Sequence, residues 1–246
     1  MKTQKDIDLS VIISALNEQD SVQQVLTKIL EILDESKLNG EIIFMDNHST
    51  DKTGQLADEI SKKDKRVRVI HRINRPSKDL GSSIIEGLSN AKGQYITMLD
   101  CDISHDAYEL LNFLKHKDEA DIIVGSRKVK GGSANMPLKR KIMSNSYMLV
   151  SRILVGVKVK DFTGSFKLYN RKVFDNMHLT NQGFGLFPEI VFKAYLQGFT
   201  FKELPIQYAK SSSASNLNYK KQFRSYAEPL LKAFKARLLG KKNFKE

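Results

Sequence analysis

Short apolar runs alternate with stretches of helical spacing along the first half of this chain. Leu9-Ser10-Val11-Ile12-Ile13 predicts a first buried strand. Val22, Val25, Leu26, Ile29, Leu30 and Leu33 recur behind it on one helix face. Glu41 to Met45 predicts a second strand, followed by a helix from about Thr53 to Ile60. Arg66 to Ile70 reads as a third strand, and Ile84, Ile85, Leu88 and Ala91 line a helix that Gly93 ends. Tyr95 to Leu99 is a fourth strand, Leu110, Leu111 and Leu114 the next helical stripe, and Asp121 to Gly125 another strand. This alternation predicts an α/β fold with a mostly parallel central sheet flanked by helices on both faces.

The second half alternates less cleanly. Lys128 to Pro137 is a Gly-rich, basic loop. Leu138 to Leu154 predicts a helix, Gly164 to Tyr169 a short strand and Glu189 to Leu196 a helix. Phe199 to Tyr208 predicts a strand, with Pro205 marking an edge or a bend. Ser211 to Asn216 is a polar loop, and a basic helix runs from about Tyr219 to Leu239.

Charge narrows the partners. Forty Lys and Arg against 28 Asp and Glu give a net charge of +12. That excess favours nucleic acid, a phosphorylated lipid or an acidic membrane. Cys101 is the only cysteine, so no intrachain disulfide forms, which fits a reducing compartment. Met1 to Asp8 is charged and unlike a signal peptide, and no apolar stretch approaches the length of a spanning helix. Any membrane attachment is therefore expected to be peripheral or through a membrane partner subunit. No dinucleotide fingerprint, Walker loop, nucleophile elbow or zinc pattern occurs.

Two acidic clusters stand at predicted strand ends. Asp100 and Asp102 follow the fourth strand, where a parallel sheet opens into a ligand crevice. Where the chain turns, both carboxylates can serve one site. Their hard oxygens suit Mg²⁺ or Mn²⁺ holding a diphosphate, and a sugar nucleotide is the best candidate. Asp102 suits the metal directly, with Asp100 nearer the sugar or ribose. Ser104 is either a third polar ligand or a helix cap, and the blander reading of both aspartates is capping of a helix near Asp106. Asp46 ends the second strand and can accept from a base or ribose, assisted by Asn47. Asp51 mainly caps the next helix. Glu18 reaches the nucleobase or supports its loop. Arg140 and Ser144, four residues apart, share a helix face that could grip a phosphate monoester. Arg127, Lys167 and Lys210 are further phosphate-binding candidates on a surface that is basic throughout.

With these motifs in place, the chain resembles the family 2 glycosyltransferases of GT-A fold, and among them the dolichyl-phosphate (polyprenyl-phosphate) mannose synthases, over roughly residues 8–217. Val11 to Glu18 is similar to the family's opening strand with its Asn-Glu. Asp46-Asn47-His48-Ser49-Thr50-Asp51 resembles its nucleotide motif, with Asn47 in place of an Asp. Leu80 to Gly87, Asp100-Cys101-Asp102-Ile103-Ser104-His105, Gly125-Ser126-Arg127 with Gly131-Gly132, Leu138 to Ser144, and Asp161 to Tyr169 follow in the family's order. Lys167 stands where the family usually has Arg, and Lys210 to Asn216 departs from its late basic motif.

The resemblance implies donor contacts from Ala15, Asn17, Glu18, Asp46, Asn47 and Asp100, and metal contacts from Asp100, Asp102 and Ser104. Asp102, Arg127, Arg140, Ser144, Lys167 and Lys210 are the implied catalytic set. It implies inverting transfer of a hexose, mannose from GDP-mannose first, to dolichyl or polyprenyl phosphate. UDP-glucose or a UDP-N-acetylhexosamine, with a lipid-phosphate or glycan acceptor, is the alternative. It divides the chain into a GT-A catalytic domain at 1–217 (nucleotide-binding half to about 105, acceptor-binding half beyond) and a basic amphipathic tail at 218–246. That tail would lie on an anionic membrane, at the cytoplasmic face, or pack on the core with a solvated basic side. A non-enzymatic nucleic-acid binder rests on charge alone, and no nucleic-acid partner is expected. A regulatory transferase-like scaffold is the remaining alternative.

Overall fold

The computed structural model describes residues 6–73, 79–102, 106–208 and 219–240. The first half follows the periodicity closely: β1 (Leu9–Ala15), α1 (Val22–Ser36), β2 (Gly40–Asp46), α2 (Thr53–Lys63), β3 (Val67–His71), α3 (Leu80–Asn90), β4 (Tyr95–Asp100), α4 (Glu109–Lys115) and β5 (Ile122–Ser126). The second half adds β6 (Ser133–Ala134), α5 (Leu138–Val155), β7 (Lys167–Asn170), α6 (Leu186–Gln197), β8 (Phe201–Pro205), β9 (Gln207–Tyr208) and α7 (Tyr219–Leu238).

Seven strands form one sheet in the order β3-β2-β1-β4-β7-β5-β8. Only β7 runs antiparallel to its neighbours, β4 and β5. β1 is buried at every position, as a central strand must be when helices cover both faces. Alternate residues divide between two cores. Val11 and Ile13 pack with α1, α2 and α4, whereas Ile12 packs with α3, α6 and α7.

Two boundaries differ from the periodicity. The strand expected at Gly164 to Tyr169 begins only at Lys167, because the Lys167 ammonium turns back onto the carbonyls of Phe162 and Gly164 and closes a turn there. The single strand expected from Phe199 to Tyr208 is broken at Ile206. Pro205 stands on the outer edge of β8, where its missing N–H costs no ladder bond; the Ile206 N–H still donates to the Ser126 carbonyl at 3.2 Å, and β9 then leaves to pair with β6.

α7 is docked by polar contacts. Glu189 and Lys193 form a buried pair of 2.8 Å on α6, and Glu189 also accepts from the Asn181 N–H. Asn181 in turn donates to the Ser225 carbonyl on α7. Arg237 donates to the Leu154 carbonyl at the end of α5. Among the described residues no helix is long and apolar enough to cross a membrane.

Gly93 permits the close approach of the α3–β4 turn to β1. A Cβ there would lie 2.4 Å from the Ser10 nitrogen and 2.6 Å from the Leu9 carbonyl carbon. Backbone cannot yield as a side-chain end can. Gly93→Ala is therefore expected to destabilise the fold by about 1–3 kcal/mol, read as a lower urea midpoint.

Candidate active site

Parallel register brings the acidic clusters to one edge. Ala15 is level with Asp46, Asp46 with His71, and Ser14 with Asp100, all at the C-terminal ends of their strands. Chain reversals follow immediately, and two of them use left-handed backbone at Asn17 (φ 57°) and His48 (φ 64°). The two loops bind each other. The Asn17 N–H donates to the Ser49 hydroxyl at 3.0 Å, and its side-chain carbonyl accepts from the Thr50 N–H at 2.8 Å. The Glu18 N–H donates to Thr53 at 2.8 Å. Asp51 accepts from the Thr53 N–H and the Gln19 N–H, so it caps α2 and ties down the first loop. Burial alone would raise its pKa; these bonds outweigh that and hold it below the usual carboxylate range.

Asp46 is buried at the rim, with Oδ1 accepting from the Ser49 N–H and Oδ2 against His71. Asn47 lies differently from expectation. Its amide donates to Ser14 at 2.7 Å and its carbonyl accepts from Arg72 at 2.7 Å, so its side chain braces the strand ends and is not open to a nucleotide. Ala15 is likewise buried, and its carbonyl accepts the Asn47 N–H. Arg72, only 4% exposed, also donates to Glu86 and Ser82, which joins α3 to the rim. The His48 Nδ1 is a buried polar atom with no protein partner.

Asp100 stands half-buried at the end of β4 and accepts from the Ser165 hydroxyl at 2.9 Å. Desolvation, and then the charge of Asp102, push its pKa up to about 6; Ser165 and Arg140 act in the opposite sense, and Glu18 adds to the rise. The charges of Glu18, Asp102 and Arg140 thus all lie near enough to act on Asp100. Cys101 is buried between the two aspartates, and burial pushes its thiol well up, so it packs as a small apolar side chain.

The acceptor-side candidates separate into three groups. Arg140 and Ser144 lie in the first two turns of α5, with Arg140 exposed and Ser144 half-buried. Arg127 is not a free cation. Its Nε donates to Asp161 at 2.6 Å, a terminal nitrogen donates to the other Asp161 oxygen at 2.7 Å and to Thr163 at 3.2 Å, and the guanidinium stacks over the Tyr208 ring. Lys167 is a correction to the expected set. It is 1% exposed, and its ammonium is held by the Phe162 and Gly164 carbonyls, leaving no surface from which to grip an acceptor. Burial lowers its pKa to about 7, although Asp161 nearby pulls it upward. Ser104 and Lys210 lie outside the described residues.

The donor chemistry favours one kind of cation. Among the described residues no third acidic, histidine or cysteine side chain joins Asp100 and Asp102 in a metal-holding cluster. Two carboxylates whose charges repel fit Mg²⁺ or Mn²⁺, which complete their shells with phosphate oxygens and water; zinc prefers a fuller protein set. Four residues at this edge escaped the sequence reading. Asp161 and Ser165 lie inside a segment that carried the resemblance, so a signal existed for them. His71 and Arg72 follow a strand in an already basic chain, and nothing in composition marks them.

Comparison with known proteins agrees with this geometry. The family described as Glycosyl transferase family 2 matches residues 10–177. The chain belongs to that family. A dolichol-phosphate mannosyltransferase of Pyrococcus furiosus is 33% identical over 189 residues, 75% of this chain and 52% of the relative, so the chain spans about half that protein's length. A polyprenol monophosphomannose synthase of Mycolicibacterium smegmatis is 30% identical over 209 residues, 81% of this chain and 77% of the relative. This family 2 member is thus related to polyprenyl-phosphate sugar transferases. The glucosyl-3-phosphoglycerate synthase of Mycobacterium tuberculosis, solved with Mn²⁺, UDP-glucose and phosphoglyceric acid, superposes with a TM-score of 0.73. It is 15% identical and covers 93% of this chain and 80% of that one. The shared architecture is the GT-A fold, with its largely parallel sheet flanked by helices.

Proposed function

We propose that this family 2 transferase moves a hexosyl group from a nucleoside diphosphate sugar to a lipid phosphate. One observation carries the acceptor. α5 presents Leu138, Ile142, Leu149 and Ile153 outward, each more than half exposed, within about 60° of one another around the helix. Arg140 and Ser144 lie on the opposite side of the same helix, and Arg140 acts on Asp100. α7 adds exposed Phe223, Leu231 and Leu238 beside Arg224, Lys232 and Lys235. An apolar stripe of this size with a basic border suits an anionic bilayer surface, and it delivers a membrane-borne phosphate to the rim of the sheet.

Asp100 and Asp102 would hold Mg²⁺ or Mn²⁺, the two ions with which structures of the mycobacterial neighbour were solved. A cation held by these two carboxylates would supply charge neutralisation for the departing diphosphate. Asp46 receives the nucleoside from a fixed rotamer. Arg140 neutralises and aims the acceptor phosphate, with Ser144 one turn on. An acceptor oxygen attacks the anomeric carbon as the bond to the diphosphate breaks, and the configuration inverts. The phosphate monoester is already anionic near pH 7, its second pKa being about 6, so orientation matters more than a general base. Ser165 keeps Asp100 in place, and the Arg127–Asp161 pair shapes the wall behind the acceptor.

The donor has two readings. UDP-glucose has the solved neighbour behind it. A mannosyl donor, for which GDP-mannose is the candidate, has behind it the two sequence relatives, a mannosyltransferase and a monophosphomannose synthase by name. Incubation with Mg²⁺ or Mn²⁺, each donor in turn, and either polyprenyl phosphate or phosphoglyceric acid separates them by product mass. Nucleotide release that depends on the lipid phosphate is the expected result; release only with phosphoglyceric acid would overturn the lipid acceptor. In vesicle flotation, Leu149→Glu with Ile153→Glu is expected to lower membrane affinity by about a hundredfold or more, since each side chain contributes about 1.5–3 kcal/mol when buried.

A further inference from the structure

His71 occupies an unusual place at the rim. Its Nδ1 lies 2.9 Å from Asp46 Oδ2, at the end of the adjacent strand β2. Its Nε2 lies 3.2 Å from both oxygens of Asp58 on α2. Gly54, in the first turn of α2, leaves room for this arrangement: a Cβ there would stand 2.6 Å from Asp46 Oδ2 and 3.1 Å from the imidazole. The ring therefore bridges a buried carboxylate and a half-exposed one. It can donate to both only as the imidazolium, because a neutral ring carries a single N–H.

We propose that His71 is a positioning residue for the donor nucleotide: doubly protonated, it fixes the Asp46 carboxylate in the orientation that receives the nucleoside. This rests on the reading of Asp46 as a donor contact. The other Asp46 oxygen accepts from the Ser49 N–H at 3.0 Å, so the carboxylate is held at both ends. Asp46 on β2 and Asp58 on α2 are the charged groups that face the ring. On β3 itself, Arg68 turns to Glu41 and the Asn90 carbonyl, and the next residue, Arg72, turns to Glu86 and Asn47. The bond to Asp46, and then the bond and charge of Asp58, raise the His71 pKa above 6.5 against the opposing effect of burial. As pH climbs through that raised value the ring keeps one N–H. One of its two carboxylate contacts then becomes lone pair against lone pair, and even with the proton kept on Nδ1 the bond to Asp46 loses the positive charge behind it, so the carboxylate is held less firmly. Donor affinity is expected to fall with rising pH.

The test measures binding of UDP and of GDP with Mn²⁺ by calorimetry between about pH 6 and 9. The His71 ring is followed in parallel by NMR. The wild-type chain should lose several-fold and up to about tenfold in affinity as His71 titrates, tenfold being about the worth of one charge-assisted hydrogen bond. His71→Ala should be about tenfold weaker at the acid end and flat across the range. His71→Asn puts an amide N–H near the place of Nδ1, so it should keep the acid-end affinity and also be flat. Asp58→Asn, a surface change, should move the midpoint to lower pH. Wild-type affinity and pH profile in the two His71 variants, with Asp46→Ala weakened, would overturn the role of His71 alone. Undiminished binding by Asp46→Ala would overturn the donor assignment and this proposal with it.

Discussion

Asp102→Ala is expected to lower sugar transfer by about a thousandfold or more, with the thermal midpoint unchanged within about 2 °C. The size follows from the chemistry. A departing nucleoside diphosphate gains negative charge as the glycosidic bond breaks, and a water-poor rim magnifies whatever neutralises it. Asp102 is half-buried past the end of β4, outside the packed layers, so truncation leaves the core as it is. Asp100→Asn is a useful companion, because an amide keeps an oxygen for the Ser165 hydroxyl while removing the charge that repels Asp102. Initial rates with saturating Mn²⁺, set beside thermal melts, separate loss of chemistry from loss of fold. A folded Asp102→Ala chain with ordinary turnover would remove this carboxylate from the reaction.

Asp161→Ala carries the largest expected cost in stability, about 3–5 kcal/mol, or roughly 10 °C in thermal midpoint for a chain of this size. Asp161 is 1% exposed and takes three donations from Arg127: from the backbone N–H at 3.0 Å, from Nε at 2.6 Å and from a terminal nitrogen at 2.7 Å. Removing it strands a mostly buried guanidinium. A paired change, Asp161→Ala with Arg127→Met, should recover much of the loss, because both charges then leave together. The same pair sets a pH dependence. Burial raises the Asp161 pKa, but the bonds and charge of Arg127 prevail and hold it below the ordinary carboxylate value. Its folded pKa is therefore depressed, so its contribution is full above the unfolded pKa of about 4 and is lost as pH falls through the folded value. In Asp161→Ala this part of the acid destabilisation, followed by urea unfolding from about pH 5 down to 2, should be missing.

How much of this was legible in the sequence depends on distance along the chain. β1 to β5 and the helices between them announce themselves, because a parallel sheet buried on both faces needs continuous apolar runs and its helices need one apolar face. Asp46, Asp100 and Asp102 were legible for a related reason: strand ends in such a sheet share one edge. Lys167 was misread because local charge does not disclose burial; only the turn at Phe162–Gly164, closed in space, shows where its ammonium goes. The break at Ile206 was half-visible in Pro205, but the partner of β9 is a two-residue strand that no periodicity marks. His71 owes its place to register against β2 and to a helix that begins seven residues after Asp46, so its contacts are long-range facts. Asn47 sits in a recognisable motif yet turns inward, since Arg72 supplies the charge that a second aspartate would otherwise meet.

The proposed reaction requires Asp100 and Asp102 to hold a divalent cation against the diphosphate of a nucleotide seated at Asp46. Anomalous diffraction from a crystal of this protein soaked with Mn²⁺ and UDP or GDP tests it most directly. The expected result is a manganese peak with an Asp102 oxygen in its coordination shell and the nucleotide beside it, its ribose or base within hydrogen-bonding reach of Asp46. A fully occupied nucleotide bound away from the ends of β2 and β4, or a manganese peak with no aspartate in its shell, would contradict it.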